Sequence, residues 1–240
     1  MSLFLGESKV LAQCANVNFD CRAAGYTQTS CPSGGVRCPT DNSLWYCPQS
    51  TSFCEVGYIL NSDMSCTKNK VSGKTPIAVV AYLDGKGGGQ AISLEDLPAQ
   101  ALITSGEMLP DNYKINGYSK NETESCEKTQ LLINAGDKNK FPAAWAAYEY
   151  APAAAPNTKG KWCIPDLGVL FYARRAYAAE IDAAIKNLNA EEFADYYLTA
   201  SVRSQSSTSC RLYSVNENGD VITWGSCFDN YYKIRPVIEF

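Results

Sequence analysis

The sequence predicts an α+β protein that begins with a small disulfide-rich region, and three patterns lead to this prediction. Residues 210–226 contain two β-rich runs joined by Asn218-Gly219, a pair that strongly favours a hairpin turn. Residues 170–188 space their apolar side chains at about 3.6 residues, which is typical of a helix packed on a core. Seven of the eleven cysteines lie within residues 14–66.

The last strands give the most detailed expectations. Asn218-Gly219 predicts a type I′ turn, which needs positive φ at both central residues. The ending KIRPVIEF alternates in character, which predicts a strand buried on one side. One face would carry Ile234, Pro236, Ile238 and Phe240, and the other Lys233, Arg235, Val237 and Glu239. Because Pro236 cannot donate to a ladder, this strand is expected at a sheet edge or bulged there.

Composition divides the chain into four parts. Residues 1–13 end in VLAQ, which resembles the tail of an export signal. Residues 14–66 form a cysteine-rich repeat region, and residues 67–75 (TKNKVSGKT, with 67 as its first residue) are polar and predict a linker. Residues 76–240 are then expected to form the main binding domain.

The cysteine-rich region repeats a Cys-x6-Cys unit three times, and Cys66 closes the series. Units of this size bury too little apolar surface, so disulfides must substitute for a core. The spacing leaves their connectivity open. The region is equally compatible with a stalk that displays the main domain and with a small stapled subdomain that has no further role.

The main domain is expected to open with a hairpin. Ile77–Leu83 is an apolar run of strand length, and Ala91–Leu94 is expected to return beside it. The glycine-rich residues 85–89 lack the order of a phosphate-binding loop and no clear helix follows them directly, so they are interpreted as a hairpin connection.

Helices are expected in the middle of the main domain. One covers Glu127–Ala135, and Phe141-Pro142 opens a second, where proline suits the first turn. A third carries the apolar stripe Leu170, Tyr177, Ile181, Ile185 and Leu188. The four cysteines of the main domain lie beside the helices and around the hairpin, which predicts the pairs Cys126–Cys163 and Cys210–Cys227.

Charge and residue types limit the chemistry. A net charge of −4 gives no global basic field, so a nucleic-acid partner is not expected. The chain has no histidine, the commonest metal ligand and general base, and it has no C-x-x-C pair. The many cysteines indicate disulfides and an oxidising compartment. No catalytic residue, metal or cofactor is predicted, and Asp229-Asn230 alone is too little for calcium.

Two further observations concern helix ends and membranes. The carboxylates Glu191, Glu192 and Asp195 are of the type used in acid–base chemistry, but their place at a helix end or turn favours a solvated surface. No stretch of apolar residues is long enough to span a bilayer as a helix, so no integral membrane segment is expected.

A set of motifs resembles a bacterial extracellular domain family that includes the C-terminal domain of collagen-like adhesins. Trp162-Cys163-Ile164-Pro165 with Leu167 and Leu170, the segment Tyr197–Ser201, Gly219, and the ending IRPVIEF carry the resemblance. Family members typically have W-x-L-P-x-x-x-E-L, then Y-W-S-S, and end in V-R-P-V-x-x-F. This chain departs at Val169, where the family has Glu, and in YYLTAS, which replaces Y-W-S-S.

The resemblance covers about residues 73–240 and implies a C-type-lectin-like fold, with two helices and a twisted antiparallel sheet. Variable proteins of diversity-generating retroelements share that fold, and their ligand contacts lie just before the final strand. Here that segment is 201–232, rich in the residue types that suit adaptable recognition.

The predicted ligand-binding residues lie in this segment. They are Arg203, Gln205, Ser207, Arg211, Tyr213, Trp224, Phe228, Asn230 and Tyr231. Arg211 and Tyr213 alternate with Leu212, so both are expected to point outward if Leu212 points inward. The alternative is that Trp224 and Tyr231 pack under the loop. Trp162, Pro165, Ile234, Ile238 and Phe240 are expected to be structural.

Together these features predict a secreted or surface-displayed ligand-binding protein of adhesin or receptor-recognition type, a class that includes the variable proteins of diversity-generating retroelements. Its expected partner is a protein or glycan on another cell or surface, and its oligomeric state is open. One alternative is a structural subunit of a surface fibre or layer. A more distant alternative is an enzyme of the formylglycine-generating type, which shares the broad fold and uses cysteine chemistry.

Overall fold

The computed structural model describes residues 54–85, 88–115, 122–206 and 208–240, together with two short strands earlier in the chain. The chain divides into two compact units, Met1–Phe53 and Cys54–Phe240. In the first unit, β1 (Val36–Arg37) pairs antiparallel with β2 (Leu44–Trp45). The predicted export-signal tail and the first five cysteines of the repeat lie outside the described residues.

A six-stranded antiparallel sheet forms the centre of the second unit, in the order β4-β3-β5-β6-β11-β7. Its strands are β3 (Ile59–Asn61), β4 (Cys66–Thr67), β5 (Pro76–Leu83), β6 (Gly89–Ser93), β7 (Trp162–Cys163) and β11 (Val237–Glu239). The predicted pairing of β5 with β6 is confirmed. Both strands are almost wholly buried because apolar layers cover both faces of the sheet.

The structure places the start of the main unit earlier than the sequence predicts. Strand β3 pairs with β5, so the segment from Cys54 belongs to the central sheet. A Cys54–Cys66 disulfide closes this segment onto itself. Residues 67–75 are also tied down, since the Ser62 N–H donates to the Thr75 carbonyl at 2.8 Å. The short apolar run Ile59-Leu60 is fully buried, and the surrounding cysteines obscured it as a strand signal.

The turn between β3 and β4 holds an ion pair that gives a testable titration. Lys74 Nζ donates to Asp63 Oδ2 at 2.7 Å, and the Ser65 N–H donates to Asp63 Oδ1 at 3.1 Å. The Lys74 hydrogen bond, followed by those of Ser65, lowers the pKa of Asp63 from 3.8 to about 2. Since the folded-state pKa is depressed, the stabilisation is present above pH 3.8 and is lost as the pH falls towards 2.

We expect NMR titration of the Asp63 carboxyl to give a midpoint near pH 2, and Lys74→Ala to raise it towards 3.8. Lys70→Ala is the matched control, because Lys70 is exposed in the same segment between β4 and β5 as Lys74 and makes no ion pair among the described residues. A wild-type midpoint near 3.8 would contradict the prediction.

The C-terminal strand is central, which corrects the expectation of an edge strand buried on one side. Strand β11 lies between β6 and β7, and Pro236 precedes it, so the missing N–H interrupts no ladder. Arg235 and Val237, predicted on the outer face, are fully buried. Val237 packs with helix residues on one side of the sheet, whereas Ile238 packs with Trp162 on the other. Phe240 is only half-buried.

The first two predicted helices are confirmed. The described helices are α1 (Ser125–Ala135), α2 (Pro142–Glu149), α3 (Leu167–Phe171) and α4 (Ala178–Asn187), with a 3-10 turn at Pro156–Thr158. The single helix expected over 170–188 is wrong, because a π-helical turn at Tyr172–Ala176 separates α3 from α4.

Tertiary contacts of Arg174 accompany this interruption. The π-helical turn places Arg174 inward, where it donates to the Glu217 carbonyl at 2.8 Å and pairs with Asp182. Its guanidinium also lies 4.3 Å from the ring centroid of Phe193. Periodicity alone could not show these contacts, which lie far apart in sequence.

A separate three-stranded sheet has the order β10-β9-β8. Its strands are β8 (Tyr196–Ser206), β9 (Ser209–Asn216) and β10 (Val221–Ser226), so the predicted hairpin is confirmed. The turn type differs from type I′, since Gly219 has φ of 81° but Asn218 is not among the described residues with positive φ. The Asn216 N–H donates to the Asp220 carbonyl at 3.0 Å, which closes a three-residue loop.

Two of the disulfides confirm the pairs predicted for the main domain. Cys126–Cys163 joins α1 to β7, and Cys210–Cys227 joins β9 to the chain just after β10. Each bridge is expected to contribute about 2–4 kcal/mol to the free energy of unfolding.

Candidate ligand-binding surface

Strands β8 and β10 both carry extra residues opposite the same part of β9. On β8, Val202 pairs with Leu212 and Ser204 with Arg211, so Arg203 has no partner on β9. On β10, Ile222 pairs with Ser214 and Gly225 with Leu212, so Thr223-Trp224 spans one step more than β9 does. Bulges of this kind re-aim side chains and commonly border functional sites.

The two bulges bring Arg203 and Trp224 into contact across β9. The Arg203 guanidinium lies 4.3 Å from the Trp224 ring centroid. Its Nη1 donates to the Thr223 carbonyl at 3.2 Å, and Arg211 Nη1 donates to the Trp224 carbonyl at 3.4 Å. The Trp224 side chain is nevertheless 69% exposed. We call Arg203, Arg211 and Trp224 the aromatic platform.

The platform is locally basic on an acidic protein. Within the part of the chain that the structure describes, neither Arg203 nor Arg211 forms an ion pair with a carboxylate. Both guanidinium groups donate hydrogen bonds to backbone carbonyls, which hold them in place. A guanidinium has five N–H donors, so both groups can still bind a carboxylate or other acceptor.

Gly225, which follows Trp224 on β10, allows Leu212 of β9 and Tyr232 to pack closely against β10. A Cβ at Gly225 would lie 2.8 Å from Leu212 Cδ1 and 2.9 Å from Tyr232 Oη. Burial raises the pKa of Tyr232, with the nearby Asp229 charge adding to the effect. Tyr232 and Asp229 were not among the predicted site residues, and Tyr232 packs closely against Gly225, the neighbour of Trp224.

The other predicted residues fall in three environments. Asn230 is exposed and Tyr231 is 80% exposed, so the alternative in which Trp224 and Tyr231 pack under the loop is wrong. Phe228 is half-buried and packs against the core. Gln205 is half-buried, and its amide nitrogen has no hydrogen-bond partner among the described residues. Ser207 lies outside the described residues.

The expectation that Tyr213 points outward is wrong. Tyr213 is 2% exposed and packs with Leu167 and Leu170 of α3 and with Tyr197. Leu212 on the opposite face is also fully buried. The alternation was therefore present, but both faces of β9 are covered at this point.

Two hollows lie elsewhere, at one end of the central sheet. One of about 280 Å³ is lined by Tyr82, Asp84, Gly89, Gln90, Thr123, Glu239 and Phe240. The other, of about 380 Å³, is lined by Val56, Ala81, Tyr82, Leu83, Thr123, Tyr172 and Tyr177. Burial raises the pKa of Glu239 in the first hollow. Neither contains a nucleophile activated by a neighbouring base among its described residues.

The described residues contain neither a metal site nor a membrane-spanning helix. They contain no group of three or more Cys, Asp or Glu side chains placed to hold a metal ion. None of their helices has the length and apolar character needed to cross a membrane.

No protein-family model and no curated protein matches the chain. Among solved structures, the chain is similar to a fimbrial protein from Bacteroides ovatus ATCC 8483, with a TM-score of 0.54 and 14% sequence identity. The likeness is one of fold. It covers 78% of this chain and 49% of that chain, so this chain spans about half of that protein's length. It agrees with an α+β fold built on antiparallel sheets.

Proposed function

We propose that this protein is a secreted or surface-displayed ligand-binding module of adhesin or receptor-recognition type, and that its ligand docks on the aromatic platform. One observation carries the proposal. Two opposed bulges present a largely exposed Trp224 that is held by Arg203, on a sheet tied by a disulfide. Tryptophan and arginine are the residues most enriched among those that dominate binding energy.

The platform has the properties that favour binding over packing. Its backbone hydrogen bonds fix both arginines before a ligand arrives, which lowers the entropy cost of binding. Its unpaired positive charge favours a ligand that carries carboxylates, either an acidic glycan or an acidic protein segment. The three disulfides among the described residues support an extracellular or cell-surface location.

The proposal includes a C-type-lectin-like fold for the second unit, in the sense of the motif resemblance. The platform lies in residues 201–232, the segment that this resemblance implies for ligand contacts. The proposed kinship with variable proteins of diversity-generating retroelements predicts that sibling sequences would differ mainly there.

A second candidate is a structural subunit of a surface fibre, and the fold likeness to a fimbrial protein favours it. In that case the platform would contact another copy of the chain. We propose no catalytic activity, because the cysteines of the described residues are all in disulfides and cannot act as thiolates there.

Trp224→Ala, alone and with Arg203→Ala, is expected to lower binding by tenfold or more while melting stays almost unchanged. Truncating a dominant contact costs about 2 kcal/mol or more, and about 1.4 kcal/mol corresponds to a factor of ten. The probe is an array of neutral and carboxylate-bearing glycans and immobilised acidic peptides, read with the labelled full chain. Tyr177→Ala is the matched control, since Tyr177 is an exposed aromatic outside the platform.

Three outcomes separate the candidates. Loss of array binding in the Trp224 variant supports a ligand-binding module. Concentration-dependent assembly in light scattering that disappears in the same variant supports a fibre subunit. If Trp224→Ala binds and assembles like the wild type, the platform is not the site. Tyr213 is left unchanged throughout, because its burial would confuse a binding loss with unfolding.

A further inference from the structure

A buried lysine and two buried carboxylates form a cluster that the proposed function does not use. Lys128 Nζ on α1 donates to Glu122 Oε2 at 2.7 Å and to Asp166 Oδ1 at 2.9 Å. The side chains of Lys128, Glu122 and Asp166 are 1%, 7% and 0% exposed. Fully buried ions of this kind are rare, since removing a charge from water is costly.

The charges of the cluster do not balance. Two carboxylates face one ammonium group, and Glu122 Oε1 and Asp166 Oδ2 are buried without a hydrogen-bond partner among the described residues. Burial raises the pKa of Asp166, although the Lys128 charge and hydrogen bond oppose that rise. Burial alone would lower the pKa of Lys128, but the attraction and hydrogen bonds of Asp166 and Glu122 outweigh it and raise the pKa. The Asp166 carboxyl therefore holds a proton more readily than an exposed aspartate does.

We propose that Lys128 and Asp166 condense into an intramolecular isopeptide bond, with Glu122 as the proton acceptor. The Lys128 ammonium first gives a proton to Glu122 across their hydrogen bond. The free amine then attacks Cγ of the protonated Asp166 carboxyl, so that an Nζ–Cγ bond forms and a Cγ–O bond breaks. Of the two protons that the nitrogen loses, one leaves in the water molecule and one remains on Glu122. No oxidant or other reagent is needed.

The surrounding residues hold the reacting groups in place. Asp166 is fixed because its N–H donates to Ser125 Oγ at 2.9 Å, and Ser201 Oγ donates to Asp166 Oδ1 at 3.1 Å. The Ser201 hydroxyl polarises the carboxyl at the carbon under attack, as a donor to a developing oxyanion does. Lys128 Nζ already lies 2.9 Å from Asp166 Oδ1. Holding the two reacting groups this close together makes an intramolecular reaction fast.

Burial also supplies the driving force. Before the reaction, Lys128 and Glu122 are both charged in a site with almost no solvent access, whereas the amide and the protonated Glu122 that result are neutral and one water is released. The Cys126–Cys163 disulfide lies beside both residues and keeps α1 against the segment that leads to Asp166. In the structure Lys128 Nζ and Asp166 Oδ1 are in hydrogen-bond contact, which is the arrangement that precedes the bond.

The test is the intact mass of the full chain after reduction and denaturation. We expect it to be lighter than the sequence mass by one water molecule. Trypsin should then release residues 121–138 covalently joined to residues 162–174, because an acylated Lys128 is not cleaved. Reduction and alkylation must come first, since Cys126 and Cys163 link the same two peptides.

Variants assign the roles. Lys128→Arg and Glu122→Gln are both expected to restore the full mass, whereas Lys114→Arg should still lack one water. Lys114 is the matched control because it is an exposed lysine that pairs with Glu124. A wild-type chain of full mass with two separate peptides overturns the proposal, and this result needs no variant to fold. A bond that persists in Glu122→Gln overturns the role of Glu122.

Discussion

Replacing Arg235 with alanine is expected to lower the free energy of unfolding by about 3–5 kcal/mol, because the buried Asp96 carboxylate loses its buried cationic partner and keeps only the more exposed Lys233. Arg235 is fully buried and Asp96 is 4% exposed. The guanidinium donates to Asp96 Oδ1 at 2.9 Å, to the Ser93 carbonyl at 2.8 Å and to the Glu191 carbonyl at 2.6 Å. Alanine removes all three donors at once.

Lys233→Ala is the matched control, since Lys233 pairs with the same carboxylate from a more exposed position. Its Nζ lies 3.3 Å from Asp96 Oδ2, and its side chain is 32% exposed. A pair of this kind contributes about 0–1 kcal/mol. Urea unfolding of both variants under oxidising conditions makes the comparison. If both variants lose the same free energy of unfolding, burial of the Arg235–Asp96 pair does not determine how much that pair stabilises the fold.

Trp162→Ala is expected to cost about 3–5 kcal/mol, because it opens a cavity where the surroundings cannot collapse. Trp162 is fully buried on β7, and its ring meets Tyr150 edge-on with centroids 4.9 Å apart. Its Nε1 donates to Thr158 Oγ1 at 2.9 Å, so the hydroxyl also loses a buried partner. Thermal unfolding followed by circular dichroism measures the effect.

The exposed tryptophan of the platform provides the comparison. Trp224→Ala removes the same side chain from a position that is 69% exposed and loses mainly one cation–π contact. That contact is worth about 0.5–1 kcal/mol at an exposed site. If Trp162→Ala melts like the wild type, β7 does not pack as described. A large loss in Trp224→Ala would instead make that residue part of the core.

Local signals predicted much of the fold. Apolar runs placed β5 and β6, helix periodicity and Pro142 placed α1 and α2, and Asn218-Gly219 placed the β9–β10 hairpin. The errors lie where distant segments decide the outcome. Arg235 alternates like a surface residue, but its partner Asp96 lies far away in sequence.

The candidate surface was predictable in position and not in detail. The resemblance placed Arg203 and Trp224 in one segment, but their stacking depends on register shifts that no sequence pattern marks. Tyr213 was misplaced because a period of two separates the faces of a strand without showing whether both are covered. Lys128 gave no signal, since a lysine on a helix is normally solvated.

The two bulges have a consequence for how readily this surface can change. Residues that pair across a ladder are constrained by the strand opposite, whereas Arg203 and Trp224 belong to the steps that β9 does not match. Substituting either residue changes the side-chain groups that the surface exposes and leaves the strand register intact. On the proposed function, substitutions at these two positions are expected to change ligand specificity with little loss in the free energy of unfolding.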